Sequence, residues 1–323
     1  MKNIVITALA AACLAIGVAS AQPAAQQAWP DRPVQIVQGF GAGGNADTIA
    51  RVIAAPLSEA LGKPVVVEAR TGAGGNIASE YVARARPDGY TLGLLTGGHA
   101  VSAAVYRNLR FDPVKDFAFI STVSVFPFVV ATRADGPIRS MADLIVAARA
   151  RPGEITFSSV GVGSTQHLTG ELLAQMAGIR LAHVPYRGGT QPLTDLLTGR
   201  IDLMVDSITV AGGAIRAGSA RALGVTSAAA WPGLDAPPVG EGVPGFEVVS
   251  WVGLVAPAET PAPIIERLHA ELTKVLALPE VQKTLATLGS RASPSTPDAM
   301  QSFVAGQIRQ WQQVVAEAGI ERQ

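Results

Sequence analysis

Charge is scarce in this chain of 323 residues: Asp, Glu, Lys and Arg make up 15% of it, against about 25% in an average soluble protein. The two signs balance, 25 acidic against 25 basic. No basic excess is present to neutralise a phosphate backbone and no acidic excess to attract cationic partners, which excludes nucleic acid. The only cysteine is Cys13. No G-x-S-x-G elbow occurs, and His99, His167, His183 and His269 lack H-E-x-x-H or comparable metal-ligand spacing, so hydrolase and zinc chemistry find no footing. Long charge runs are missing and 48% of residues are hydrophobic, which excludes a disordered chain. What is abundant is glycine: 34 residues, where average usage gives about 23. The length suggests two domains, each with its own core.

The first residues read as an export signal. Lys2 gives a positive start, Ile4 to Val18 is almost continuously apolar, and Ala19-Ser20-Ala21 is a small-residue cleavage pattern before Gln22. The apolar run falls short of the roughly 20 residues that span a membrane, and Ala10-Ala11-Ala12 before Cys13 is a poor lipid-attachment context. Cleavage after Ala21 removes Cys13, so the mature chain forms no disulfide. Residues 22–29 read as a polar tether.

From residue 30 onward, strand and helix patterns alternate. Val34–Val37 leads through a Gly-rich loop to a helix at 46–61, Val65–Val67 through another to a helix near 76–85, and Thr91–Leu95 is a third strand. A β-rich run covers 117–132, broken at Pro127; further units pair 155–157 with a helix at 164–177, 181–184 with 190–198, and 201–205 with 208–217. An extended run at 246–256 precedes helices at 261–277, 279–288 and 296–318. This predicts an α/β fold with two mostly parallel sheets and a ligand cleft between them. The two long extended runs cross between domains, giving domain 1 as 30–130 plus 252–323 and domain 2 as 131–251.

One pentapeptide occurs twice, Gly41-Ala42-Gly43-Gly44-Asn45 and Gly72-Ala73-Gly74-Gly75-Asn76, each time between a strand's end and a helix's start. Ligands of parallel α/β sheets bind outside the carboxyl ends of strands, and helix N-termini present free N–H groups there. Glycine lets those amides approach a small anion. Two further Gly-rich entries follow, Gly161 to His167 and Tyr186 to Thr190, the first with Ser164 or Thr165 as helix cap and His167 in the first turn. Asp47, in the first turn of its helix, supports the loop before it rather than binding an anion directly. Asp206, at a strand's carboxyl end, is placed to receive a ligand ammonium or hydroxyl. Asp202 reads as structural, and Phe40 and Tyr186 as cleft walls or core. A competing reading takes Gly39 to Gly44 as G-x-G-x-x-G with Glu68 after the next strand, a dinucleotide site. Export to a compartment without a nicotinamide pool and the unexplained second pentapeptide weigh against it.

At these residues the chain resembles the periplasmic substrate-binding proteins of tripartite tricarboxylate transporters, the Bug receptor family. The likeness extends over Gly72–Asn76, Tyr81–Arg84, Pro87–Thr91, Asp112–Phe117, Gly161–His167, His183–Gly189 and Trp251–Pro263, in order. It implies a two-domain Venus-flytrap receptor, not an enzyme and without a cofactor, that works in the periplasm as a monomer. Such a receptor closes on a small carboxylate, a di- or tricarboxylate or an acidic amino acid, and delivers it to membrane permease subunits; a sensor that signals to a membrane kinase is the alternative. The first-domain contacts implied are Phe40, Gly41, Gly43, Gly44 and Asp47, then Gly75, Asn76 and Ile77. Those of the second domain are Ser164, Thr165, His167, Tyr186, Gly188 and Asp206. The chain departs from the family at Gly39 and Ala42, which stand where prolines are usual, and at Ala69 and Thr71. These departures predict more flexible loops and a changed pocket shape.

Overall fold

The computed structural model describes residues 29–317 and 319–322; the export segment and residues 22–28 of the tether lie outside the described residues. Strand β1 (Val34–Gln38) is followed by helix α1 (Asn45–Leu61), whose Ile49, Ile53, Leu57 and Leu61 recur at helical spacing and are buried. Gly62, left-handed at φ 69°, ends it. Next come β2 (Val65–Ala69), α2 (Asn76–Ala83), β3 (Thr91–Thr96) and α3 (Gly97–Val105). The sequence reading missed α3 because eight of its nine residues are buried, which erases the polar stripe that marks a surface helix.

The chain continues through β4 (Phe117–Arg133), α4 (Met141–Ala150), β5 (Thr156–Ser159), α5 (Thr165–Met176), β6 (Ala182–Pro185), α6 (Gln191–Leu197), β7 (Leu203–Ser207), α7 (Ile208–Arg216) and β8 (Ala220–Val225). It ends with β9 (Val249–Pro257), α8 (Ala262–Ala277), α9 (Pro279–Thr287), β10 (Arg291–Ala292) and α10 (Pro297–Glu317). Strands pair in the order β2-β1-β3-β9-β4-β7-β5-β6, with β8 and β10 also on β4. The βα units supply the parallel pairs, β1 with β2 and β3, and β5 with β6 and β7. The long strands β4 and β9 run antiparallel to their neighbours, which strand–helix alternation does not announce.

Strand β4 belongs to both halves of the sheet. Residues 117–127 pair with β9, and from Phe128 onward β4 pairs with β7 and β8. Pro127 does not break the strand; it stands at the last rung shared with β9, where the ladder changes partners and a missing N–H costs least. Helices α8 and α10 return to pack on β4, α1 and α3. One core runs through both halves, from Ile36, Ile49 and Trp251 to Phe157 and Leu168, and a smaller one around Leu196, Met204, Ile208 and Val225 lies on the outer half. The carboxyl ends of β1 and β3 thereby face those of β5 and β7 across the crossing strands.

Candidate functional site

Both copies of the pentapeptide do the same local thing: Asn45 and Asn76 are the first residues of α1 and α2. The loop before α1 is braced from beneath. Gln38, fully buried, donates from Nε2 to Phe40 O at 2.9 Å and accepts from Phe40 N at 2.8 Å. Asp47 accepts the Gly43 amide at 3.1 Å, and Arg51 grips its two oxygens at 3.1 Å each. Its carboxylate is thus spent on the loop and on Arg51, the supporting part its position suggests. Loop two packs directly on loop one: a Cβ on Gly39 stands 2.6 Å from Gly75 Cα, and Gly75 itself has φ 101°, a conformation that favours glycine.

The two halves meet at these loops. Gly41 N–H donates to Arg187 O at 3.1 Å and pairs with Gly188 as an isolated parallel bridge. Thr209 Oγ1 donates to Asn45 Oδ1 at 2.6 Å, Tyr106 OH to Val162 O at 3.1 Å, and Ser102 Oγ to Gly163 O at 3.3 Å. Behind these contacts lies a small cavity of about 30 Å³, room for a water or two with the halves this close. The first half contributes Phe40, Gly44, Asn45 and Ala46, with Thr96 from the end of β3. The second contributes Thr165, Gln166, Gly188, Gly189 and Asp206. The crossing strands close it with Phe126, Phe128 and Ser250. The amides of the first helical turn have no acceptor within their helix, so the starts of α1 and α5 bring donors to this space from opposite halves. No Lys, Arg or His is among the described residues that line it.

Of the residues named from the sequence, Phe40, Gly44, Thr165, Gly188 and Asp206 share this cavity. Gly41 and Gly43 lie in the loop that frames it. Gly75 and Asn76 line an adjoining cavity of about 10 Å³ with Ser79 and His99, and Phe40 and Thr96 belong to both. The remaining side chains lie elsewhere. Ile77 is 49% exposed on the outer face. Ser164 is buried and its Oγ accepts the His167 amide at 3.2 Å, a helix cap. The His167 ring stacks on His183 at 4.1 Å, and its Nδ1 accepts from Gly163 N. Tyr186 donates its hydroxyl to Asp195 at 2.8 Å, and desolvation, helped by this bond, pushes the phenol up to about 12. The sequence reading missed Asn45, although the repeat that drew attention to Asn76 contains it. It also missed Gln166, between two nominated neighbours, and Phe126, Phe128, Thr96 and Ser250, which in apolar strands or at their ends carry no local signal.

Burial keeps three histidines neutral. His99 donates from Nε2 to Pro113 O at 2.8 Å, leaving Nδ1 to accept from Ser79 at 3.2 Å, and desolvation lowers it to about 4. Desolvation also lowers His167 to about 4 and, with the neighbouring His167, His183 to about 3. A folded-state pKa below the unfolded one means that the unfolded chain binds protons the folded chain refuses, so stability falls as pH drops from 6.5 toward 4. For His99 alone the loss is on the order of 3 kcal/mol. Asp206, which burial lifts to about 6, acts with opposite sign: it regains stability as pH falls through that value. The expected net result is a urea midpoint that declines steadily below pH 6.5, and a flat profile down to pH 4.5 would contradict it.

Comparison with known proteins gives consistent matches. The model of the tripartite tricarboxylate transporter family receptor matches residues 49–320. A UPF0065 protein in the tcbD-tcbE intergenic region of Pseudomonas sp. strain P51 is 38% identical over 312 residues, 96% of this chain and 93% of the relative. The structure of R. palustris Rpa4515 with adipate superposes with a TM-score of 0.88 at 38% identity, covering 91% of this chain and all of that one. The periplasmic binding protein BugD superposes with the same TM-score at 36% identity, again over 91% of this chain and all of the other.

Proposed function

This chain belongs to the tripartite tricarboxylate transporter receptor family, and from that premise we propose that it is a periplasmic receptor that captures a small carboxylate by closure of two lobes and hands it to a membrane permease. The observation that carries the reading is the cavity where the starts of α1 and α5 converge without a single cation. Backbone amides and helix dipoles favour an anion there, and in a site shielded from water they hold it without Lys or Arg. The likeness to an adipate-bound protein supports a carboxylate as that anion.

The lobes are 30–130 with 252–323 and 131–251, hinged where β4 changes partners and β9 begins. Phe40, Gly44, Asn45, Thr165, Gln166 and Asp206 make the contacts. Gly41, Gly43, Gly188 and Gly189 shape the rim, while Asp47, Ser164, His167 and Tyr186 hold the contacting loops in place. The amides of Gly75 and Asn76 serve the adjoining space, and Ile77 stays on the outer surface.

Thermal-shift and calorimetric screening of the chain from Gln22 onward against mono-, di- and tricarboxylates, amino acids and aromatic acids tests this. At least one small acid is expected to raise the melting temperature, and Gln166→Glu, which adds a carboxylate beside the α5 amides, to weaken it by at least about tenfold. If no acid stabilised the protein while a nicotinamide dinucleotide did, the receptor reading would fail. Capture of permease subunits from membranes separates uptake from signalling, for which a membrane kinase is the expected partner.

A further inference from the structure

Asp206 is the one ionisable side chain on the cavity wall. It is the penultimate residue of β7, two before α7 begins, and is 2% exposed. Its Oδ1 accepts the Ser207 amide at 2.7 Å and lies 3.4 Å from the Ser207 hydroxyl. The Gln166 side chain also reaches the carboxylate as a donor, and no cation stands beside it. Elsewhere on the cavity wall the Phe126 and Phe128 rings, edge to face at 5.6 Å, offer no donor. An ionised carboxylate has about four acceptor sites, and those that Ser207 and Gln166 leave open are satisfied by water or by what the cavity binds.

The cavity is therefore chemically two-ended. Helix-start amides from α1 and α5 donate, and Asp206 accepts. A second ligand carboxylate brought ionised against Asp206 would set two like charges together in a poorly solvated space, an arrangement that raises the proton affinity of both. Resting on the receptor reading above, we propose that Asp206 determines specificity by demanding a proton: the ligand is a small acid with an O–H or N–H donor away from the carboxylate held by the amides, and a dicarboxylate enters with one proton shared with Asp206.

The electrostatics support this. Burial lifts Asp206 to about 6, against the Ser207 and Gln166 groups that pull it down, so it takes up a proton at a higher pH than an ordinary carboxylate does. The elements packed on β7 are α5, α6, α7, β4 and β5. Their titratable groups are His167 and Glu171 on α5, Asp195 on α6, Arg216 on α7 and Arg133 on β4. None of these charges enters the balance at Asp206.

Calorimetry with matched straight-chain acids, terminated by methyl, hydroxyl, ammonium or carboxylate, tests the inference near pH 8 and near pH 5. In the native protein the hydroxyl- or ammonium-terminated acid is expected to bind at least about tenfold tighter than the methyl-terminated one. Dicarboxylate binding should tighten toward pH 5, with proton uptake visible as a dependence of the heat on buffer ionisation enthalpy. Asp206→Asn, nearly isosteric and able to donate, should strengthen dicarboxylate binding near pH 8 and abolish its pH dependence. A hydroxyl ligand keeps its acceptor in that variant, whereas an ammonium ligand loses its counter-charge, which tells the two donors apart. Dicarboxylate binding that is pH-independent, takes up no proton and is unchanged in Asp206→Asn overturns this inference and leaves the receptor reading intact. Failure of every small acid to bind overturns both.

Discussion

Replacing Thr226 by Val is expected to lower the unfolding free energy by about 2–6 kcal/mol. Thr226 follows β8 and is fully buried, at the place where β4 exchanges β9 for its second set of partners. Its Oγ1 accepts the Phe128 amide at 2.8 Å and donates to Val248 O at 2.6 Å. Its backbone bonds the same two residues, N–H to Phe128 O at 2.9 Å and C=O from Val248 N at 2.7 Å. One residue thus ties together both chain segments that connect the halves. Valine keeps the volume and leaves a buried donor and a buried acceptor without partners, each at a cost of about 1–3 kcal/mol. Thr226→Ser retains the hydroxyl and should recover most of the loss, which a simple packing effect would not. Denaturant titration of the three proteins measures this; a valine variant within about 0.5 kcal/mol of the native protein would show that the Thr226 bonds add nothing at this junction.

The second large effect is expected at Gly39, in the loop before α1. Gly39→Ala should weaken ligand binding by at least about tenfold and destabilise the fold by about 1–3 kcal/mol. The added Cβ meets Gly75 Cα at 2.6 Å and Gly75 O at 3.2 Å. These are backbone atoms, and no rotamer change relieves them. On the other side of Gly75 lies the Phe40 ring, 3.2 Å from where a Cβ would stand, so parting the loops displaces a wall of the cavity. Gly39→Pro, which also adds a Cβ, meets the same obstruction. Calorimetry and thermal melting check both variants; unchanged affinity and stability would show that the loops need not interlock. The expectation of looser loops from the Gly39 and Ala42 departures is revised by this packing. Gln38 holds both backbone groups of Phe40, Asp47 holds Gly43, and Gly39 is what permits the loops to touch.

Much of this arrangement is legible along the chain. Helical spacing of apolar residues, Gly62 at the end of α1 and the Gly-rich entries mark the βα units, because propensity, capping and periodicity depend on residues within one or two turns. The functional weight of the helix starts is legible for the same reason: free amides follow from where a helix begins.

Only the tertiary structure decides which groups at those starts face the ligand space. Ser164 and His167 sit at a nominated helix entry, yet one caps the helix and the other stacks on His183, while Thr165 and Gln166 between them reach the cavity. Phe126 and Phe128 lie in a strand that is apolar nearly throughout, so nothing local separates wall from core. Asn45 meets Thr209 across 164 residues, and Thr226 meets Phe128 across 98. The amino-acid order by itself determines the alternating units and the amide-rich loops that an anion needs. The antiparallel crossing of β4 and β9, the Thr226 clasp and the place of Asp206 on the cavity wall come from contacts between distant segments, whose geometry exists only after the chain has packed.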